Sequence, residues 1–282
     1  MGSRIWKGKL NATAATLALI MIASASARGQ QNPQQLVTQM VYNELHAGQS
    51  QHYWMYRDVD TEGGKTKVSR VVETPDCWFR WTISVNGQPL PASETQQQEA
   101  KLEKLVNDGA LRKKNREALE QDGKKAQSLV KMLPDVFVYS YDGERDGNIR
   151  LKFRPNPQFH PPSNEAKVFH NMEGVLLVNK REKRLAGISG TLMQDVDFGW
   201  GLLGKLYKGG TFKVQQTRLA PNVWEMTTLD VHIGGKALFF HTISEQQSEV
   251  ESEFQPVPAN IKLAQAASLA EKGNENLSAS VR

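Results

Sequence analysis

The sequence predicts a mainly β (α+β) fold, in which one strongly curved, barrel-like antiparallel sheet carries an N-terminal helix and a helical insertion. Strand-like runs follow one another along most of the chain, with short turns and hardly any helix between them. Apolar residues recur at helical spacing before the first of these runs. Residues 92–133 are dominated by Gln, Glu, Lys, Leu and Ala, a composition typical of solvated helices.

The first predicted element is an amphipathic helix that ends near Gly48. Three strands follow, predicted at 53–59, 67–73 and 77–85, and the third ends at the turn signal Asn86-Gly87. The breaks between them are short enough for hairpins. The helix has an apolar face made by Leu36, Val37, Met40, Val41 and Leu45.

The insertion at 92–133 is interrupted by Asp108-Gly109, which predicts two helices. We interpret it as a solvated helical insertion lying against the body of the domain. The alternative is a lid or an arm that docks a partner protein.

After the insertion the strand pattern resumes, and hairpin spacing predicts an antiparallel meander. Turn signals include Asp142-Gly143, Asp146-Gly147 and Gly234-Gly235. A weak helical stretch is predicted at 261–272, inside a polar tail. The meander has predicted strands at 136–141, 149–153, 168–179, 185–194, 211–219, 223–231 and 237–249.

The first 27 residues have the layout of a secretory signal peptide. Three basic residues precede an apolar stretch at 10–23, and small residues lead to a predicted cleavage after Ala27. The apolar stretch is short for a permanent anchor, which is the alternative. We therefore expect a periplasmic or secreted protein, and this compartment argues against chemistry driven by ATP.

Composition limits the classes of function that remain. Removing residues 1–27 takes away three basic and no acidic residues, which lowers the formal net charge from +5 to +2. That near-neutral charge gives no support for a nucleic-acid partner. We expect a single domain at 28–255, after the signal peptide at 1–27 and before the polar tail at 256–282.

Cysteine usage is equally restrictive. Cys77 is the single cysteine, so the chain has no internal disulfide and no cysteine-rich metal site. Its position in an apparent strand predicts a buried small hydrophobic residue.

Several motifs suggest chemistry but lack a required part. The spacing G-x-x-x-x-G-K occurs at 199–205, yet Leu206 stands where a phosphate-binding loop needs a hydroxyl. Asp142 and its neighbours match the start of a calcium loop, but Phe153 stands where the bidentate glutamate belongs. The six histidines show no close ligand pair. The sequence therefore predicts no catalytic set, no metal site and no cofactor.

Apolar and aromatic residues are the stronger signal. The glycine-punctuated run at 198–207 is unusually apolar for a loop, so it either closes the core or contacts a ligand or membrane. The aromatic strands at 53–59 and 77–85 either pack the core or line an apolar cavity. Trp54, Phe79 and Trp81 are expected on faces distinct from those of Tyr56 and Trp78. The candidate ligand-binding residues are Trp54, Phe79, Trp81, Phe198, Trp200, Leu203 and Tyr207.

The order of these elements, and the stretches 174–192 (GVLLVNKREKRLAGISGTL) and 223–240 (VWEMTTLDVHIGGKALFF), resemble the outer-membrane lipoprotein-sorting (LolA/LolB-like) superfamily. The resemblance covers about 36–255 outside the insertion. It implies an incomplete antiparallel barrel whose open side is filled by helices around a cavity for acyl chains. It also implies no catalytic residues. Arg70 and Arg80 are both candidates for the arginine that holds a helical lid in that superfamily.

The sequence thus favours a non-enzymatic periplasmic binding protein or carrier, whose partner is a lipoprotein acyl chain or another apolar ligand, with a membrane or envelope protein as a possible second partner. The alternative is an envelope scaffold that uses 92–133 to bind a protein. A secreted hydrolase with an unrecognised site is the third hypothesis.

Overall fold

A computed structural model describes residues 31–47, 52–198, 204–237 and 241–273, with the backbone alone at 237 and 241–245. The predicted signal peptide lies outside these residues. Among the described helices, none is long and apolar enough to cross a membrane.

Five helices and thirteen strands make up the described chain. The helices are α1 (Pro33–His46), α2 (Ala92–Asn107), α3 (Gly109–Val136), α4 (Asn164–Phe169) and α5 (Leu263–Lys272). The strands before α4 are β1 (Tyr53–Glu62), β2 (Lys65–Glu73), β3 (Trp78–Val85), β4 (Gln88–Pro89), β5 (Phe137–Arg145) and β6 (Asn148–Pro155). Those after it are β7 (Met172–Asn179), β8 (Leu185–Leu192), β9 (Val196–Phe198), β10 (Gly204–Leu206), β11 (Thr211–Ala220), β12 (Val223–Ala237) and β13 (His241–Val257).

All strands belong to one antiparallel sheet, in the order β4-β3-β2-β1-β13-β12-β11-β8-β7-β6-β5. The short strand β10 pairs with both β12 and β9 beside this path. The sheet does not close, because β4 and β5 lie at its two ends. The predicted fold class, an open and curved antiparallel sheet with an N-terminal helix and a helical insertion, is confirmed.

One row of directly paired residues crosses the sheet and defines its faces. Leu151, Leu176, Ile188 and Val214 follow one another from β6 to β11. Directly paired residues share a face, so this face, called face A here, continues through Leu229, Glu249 and Asp60. The opposite face, face B, carries the paired residues Met55, Val72 and Phe79.

The two ends of the sheet are covered by helices on opposite faces. On face A, α1 and the last turn of α3 pack over β5–β8, and we call this the α1 layer. On face B, α2 and α5 pack over β1–β3 and the end of β13, and we call this the α5 layer. Both layers are apolar and both are buried, so each stabilises its own end of the sheet.

Helix α3 joins the two layers. Leu111 near its start packs on the α5 layer, whereas Leu133 and Val136 at its end belong to the α1 layer. Between them, residues 120–129 are all exposed. The predicted division of the insertion is confirmed, since Asp108 separates the helices and its Oδ1 accepts from the Leu111 amide at 2.9 Å.

Three local predictions are wrong for identifiable reasons. Gly234-Gly235 is not a turn but lies inside β12, where a Cβ on Gly235 would stand 2.4 Å from the Lys205 carbonyl of β10. Residues 168–171 are not strand, because Ser163 caps the short helix α4. Of the two Asp-Gly signals after β5 begins, Asp146-Gly147 makes the hairpin turn, whereas Gly143 lies in a bulge.

Candidate functional site

The α5 layer has an apolar floor on face B. Strand alternation places Met55 of β1, Val72 of β2 and Phe79 of β3 side by side, because they are directly paired across the strands. Val257 at the end of β13 extends the floor, and Trp81 lies partly buried at its side. The floor is aliphatic and aromatic, which suits contact with an apolar ligand.

Helix α5 covers this floor with small side chains. Its buried residues are Ala266, Leu269 and Ala270, spaced i, i+3 and i+4 on one side of the helix. Because two of them are alanines, the helix lies close to the sheet while burying little side-chain volume.

A single arginine fastens the carboxyl end of α5. Arg70 of β2 donates from Nη1 to the carbonyl oxygens of Ala270 and Glu271, at 3.0 and 3.1 Å. These carbonyls have no partner within the helix, so the guanidinium satisfies them and complements the negative end of the helix dipole. Gly273 follows with φ of 72°, and a Cβ there would stand 3.2 Å from the Arg70 guanidinium.

Helix α2 completes the layer and closes the edge of the sheet. Leu102 and Leu105 pack against the floor. The side-chain amide of Gln98 pairs with the outer edge of β3, since its Oε1 accepts from the Thr82 amide at 2.7 Å and its Nε2 donates to the Thr82 carbonyl at 3.1 Å. The side chain thus takes the place of a neighbouring strand.

Cys77 lies at the edge of this layer and is buried, as predicted. Burial raises the pKa of its thiol above the ordinary value. A protonated and buried thiol is a poor nucleophile. Cys77 contributes packing. The neighbouring Thr74 hydroxyl donates a hydrogen bond to the Cys77 carbonyl and accepts one from the Cys77 amide.

The structure brings two of the predicted ligand-binding residues together. Phe79 and Trp81 both lie in the α5 layer. Phe198 instead packs beside the α1 layer, and Tyr207 lines a separate cavity of about 270 Å³ near His232. Trp200 and Leu203 lie outside the described residues.

Trp54 is buried on face A, away from Phe79. It packs with Tyr56, Val71 and Val223, and its indole Nε1 donates to Glu225 Oε1 at 3.0 Å. The predicted division of the aromatic residues is therefore wrong for Trp54. It shares a face with Tyr56 because residues two apart on a strand point the same way.

Other surfaces offer different chemistry. A groove of about 650 Å³ crosses face B over β5–β7, but it is lined by charged residues of both signs, including Lys152, Arg154 and Glu173. The turn that resembles a calcium loop is an ion-paired hairpin, because Asp142 contacts Arg150 and Lys152 at 2.5 and 2.6 Å. Within the described residues, no group of His, Cys, Asp or Glu side chains is placed to hold a metal ion.

The sequence singled out Arg70 and predicted a weak helix at 261–272, which is confirmed as α5, but it did not predict the contact between them. The contact from Arg70 to Ala270 spans 200 positions, and the predicted domain ended at 255, before α5 begins. The spacing of Ala266, Leu269 and Ala270 is the signal that would have shown that this helix has an apolar side to pack on the sheet.

No model of a known protein family, no curated protein and no solved structure matches the chain significantly.

Proposed function

We propose that this protein is a non-enzymatic carrier that binds an acyl chain or a similar apolar group in the α5 layer. The ligand takes the place of α5 over the floor formed by Met55, Val72 and Phe79. The observation that carries the proposal is the small apolar burial of α5, whose fully buried side chains are one leucine and two alanines. Its carboxyl end is held by Arg70, a polar contact that can open without loss of core packing.

The free energies of apolar burial favour replacement of α5 by the ligand. Burying Leu269, Ala266 and Ala270 contributes about 5 kcal/mol at roughly 0.8 kcal/mol per buried carbon, to which the partly buried Leu263 and Ala267 add ~2 kcal/mol. A long acyl chain that buries about twelve methylenes gains ~10 kcal/mol on the same scale. The ligand therefore compensates for the displaced helix, and return of α5 favours release.

The proposal includes membership of the lipoprotein-sorting superfamily. An open antiparallel sheet with helices packed on it is the arrangement that the resemblance implies, and this supports the assignment. In this chain the helices cover both faces of the sheet, at opposite ends.

The direct test is titration of the delipidated protein with a fluorescently labelled long-chain fatty acid. We expect saturable binding. Phe79→Leu should weaken it about fivefold, which corresponds to ~1 kcal/mol of lost contact. The matched control is Phe153→Leu, an equally buried change in the α1 layer that should leave the affinity unchanged. Absence of saturable binding, or equal effects of both variants, would contradict the proposal.

Export is part of the same proposal, on the charge and hydropathy of residues 1–27 alone. Sequencing the amino terminus of protein recovered from the envelope should give Arg28 first. Recovery from the cytoplasm with the leader intact would contradict this part.

A second function, protein docking through the insertion, is favoured by the ten exposed residues at 120–129 of α3. Deleting 92–133 is a poor test, because Leu102, Leu105 and Leu133 belong to the two apolar layers. Photo-crosslinking in the envelope is a better test than deletion. The crosslinker is placed at position 127, with position 144 on the β5–β6 hairpin as the control. A specific adduct at 127 alone would support docking.

A further inference from the structure

A group of carboxyl side chains faces one another on face A where β1 meets β13. Asp58 is directly opposite Glu251, and Asp60 is directly opposite Glu249. Directly opposed side chains on antiparallel strands have Cβ atoms about 5 Å apart, so like charges there repel strongly. The full group, called the acid cluster here, also includes neighbours on β2 and β12: Asp58, Asp60, Glu73, Glu225, Glu249 and Glu251.

Fewer positively charged side chains lie near the cluster, and two of them, His52 and Arg184, act on Glu225. Arg80 of β3 forms an ion pair with Asp58. Lys67 of β2 is directly opposite Asp60. The remaining groups that face Glu251 are the Tyr56 hydroxyl and the carboxyls of Asp58, Glu73 and Glu249.

The cluster is also short of hydrogen-bond donors. Asp58 has a fully buried side chain, and its Oδ1, like that of Asp60, is buried without a hydrogen-bond partner among the described residues. Trp54 supplies two donors at the margin, its amide to Glu73 and its indole to Glu225. A buried carboxylate without donors is unfavourable, whereas a protonated carboxyl can donate to its neighbour.

Protonation of these carboxyl groups relieves both the charge repulsion and the shortage of hydrogen-bond donors. The pKa values of most carboxyls in the cluster are raised, as this requires. Burial, followed by repulsion from Glu249 and Asp58, raises the pKa of Glu251 to about 8. Burial also raises the pKa of Glu73 to about 7, against the opposing hydrogen bond from the Trp54 amide. The pKa values of Glu249 and Asp58 are raised by burial as well, with Arg80 opposing the shift at Asp58.

We propose that the acid cluster is a proton-dependent clamp between β1 and β13, which holds the strands together while its carboxyls share protons and loosens as they ionise. This inference does not depend on ligand binding. It has a consequence for the α5 layer, however, because β1 and β13 carry Met55 and Val257 of the floor on their other face.

The sign of the pH effect follows from the raised pKa values. The folded chain keeps these protons at pH values where the unfolded chain has released them, so raising the pH favours the unfolded chain. For Glu251 the window runs from the ordinary value of 4.5 to about 8. Within the window, the folding equilibrium constant falls about tenfold per pH unit for each proton held.

The test is urea unfolding of the full chain between pH 5 and 9, with wild type and two matched double variants. Glu249→Gln with Glu251→Gln removes the opposed charges, whereas Glu62→Gln with Glu253→Gln changes exposed glutamates on the same two strands. We expect the stability of wild type and of the exposed double variant to fall as the pH rises. The cluster variant should lose the part of this dependence that Glu249 and Glu251 contribute, so its stability should fall less steeply than that of wild type up to about pH 8.

Hydrogen exchange, corrected for the intrinsic rate at each pH, locates the effect. Peptides from β1 and β13 should lose protection between pH 6 and 9, while peptides from β6 and β7 keep theirs. The single variant Glu251→Gln provides the same comparison if the double variant does not fold. Equal pH dependence in wild type and cluster variants, or equal loss of protection across the sheet, would overturn the clamp.

Discussion

The α1 layer and the α5 layer solve the same problem, a helix packed on a sheet, with very different attachments. Helix α1 buries Leu36, Val37, Met40 and Val41, whereas α5 buries one leucine and two alanines. The larger side chains give α1 several kcal/mol more apolar burial. The difference predicts that α1 is attached more firmly to the sheet than α5.

Polar contacts also attach α1 more firmly than α5. At the start of α1, Gln34 donates to the carbonyl oxygens of Pro134 and Phe137. At its end, the Glu44 carboxylate accepts from Arg184 Nε at 2.7 Å and Nη2 at 3.1 Å, and from the Leu185 amide. Helix α5 has the Arg70 contact at its carboxyl end. We therefore expect α1 to open only when the domain unfolds, and α5 to open locally.

The largest effect is expected at the Glu44–Arg184 pair, whose side chains are each 9 % exposed. Glu44→Ala leaves the arginine buried without its carboxylate, which costs about 3–5 kcal/mol. Urea unfolding followed by circular dichroism measures this loss. Glu165→Ala, at an exposed carboxylate in the first turn of α4, is the control and should cost little. A loss below about 1 kcal/mol would show that α1 is not clamped, with the pair behaving like a surface ion pair.

A smaller and local effect is expected at Arg70. Arg70→Ala removes two hydrogen bonds from the end of α5 and should cost about 1–2 kcal/mol. Hydrogen exchange should show faster opening of 263–272 with α1 unchanged. Arg57→Ala is the matched control, since Arg57 is directly opposite Arg70 on the same face. Equal opening of α1 and α5 would break the comparison between the layers.

The smallest effect is expected in the exposed part of α3 that joins the layers. A Cβ on Gly123 meets nothing within 4 Å, and its φ is not positive. Gly123→Ala should therefore stabilise the protein by about 0.5–1 kcal/mol, because alanine favours a helix. Gly273→Ala is the contrasting variant and should destabilise α5, since φ is positive there and Arg70 is close. Destabilisation by Gly123→Ala would indicate that the two layers need a flexible connection.

Local signals in the sequence were sufficient for most of the fold. The spacing of Leu36, Val37 and Met40 predicted α1, and Asn86-Gly87 marked a real turn. Predictions failed where a sequence signal is compatible with two different structures. Gly234-Gly235 is suited to a turn and also to close approach of another strand, and here β10 makes the close approach. Propensity alone cannot distinguish these cases.

The candidate site and the acid cluster depend on contacts between distant parts of the chain. Asp58 and Asp60 alternate on one strand, as do Glu249 and Glu251 on another, so each pair could be placed on one face. Their opposition requires the register of β1 against β13, which lie about 190 positions apart. The predicted strands also ended too early, at 59 and 249, which left Asp60 and Glu251 outside them, whereas β1 continues to Glu62 and β13 to Val257.

The pairing of Gln98 with Thr82 has a consequence for how molecules meet one another. A side-chain amide terminates the hydrogen-bond ladder of β3 at a point where the strand of a neighbouring molecule could otherwise add. Edge-to-edge assembly through β3 must first detach α2. Conditions that melt this helix should therefore free the edge of β3 for pairing with another molecule.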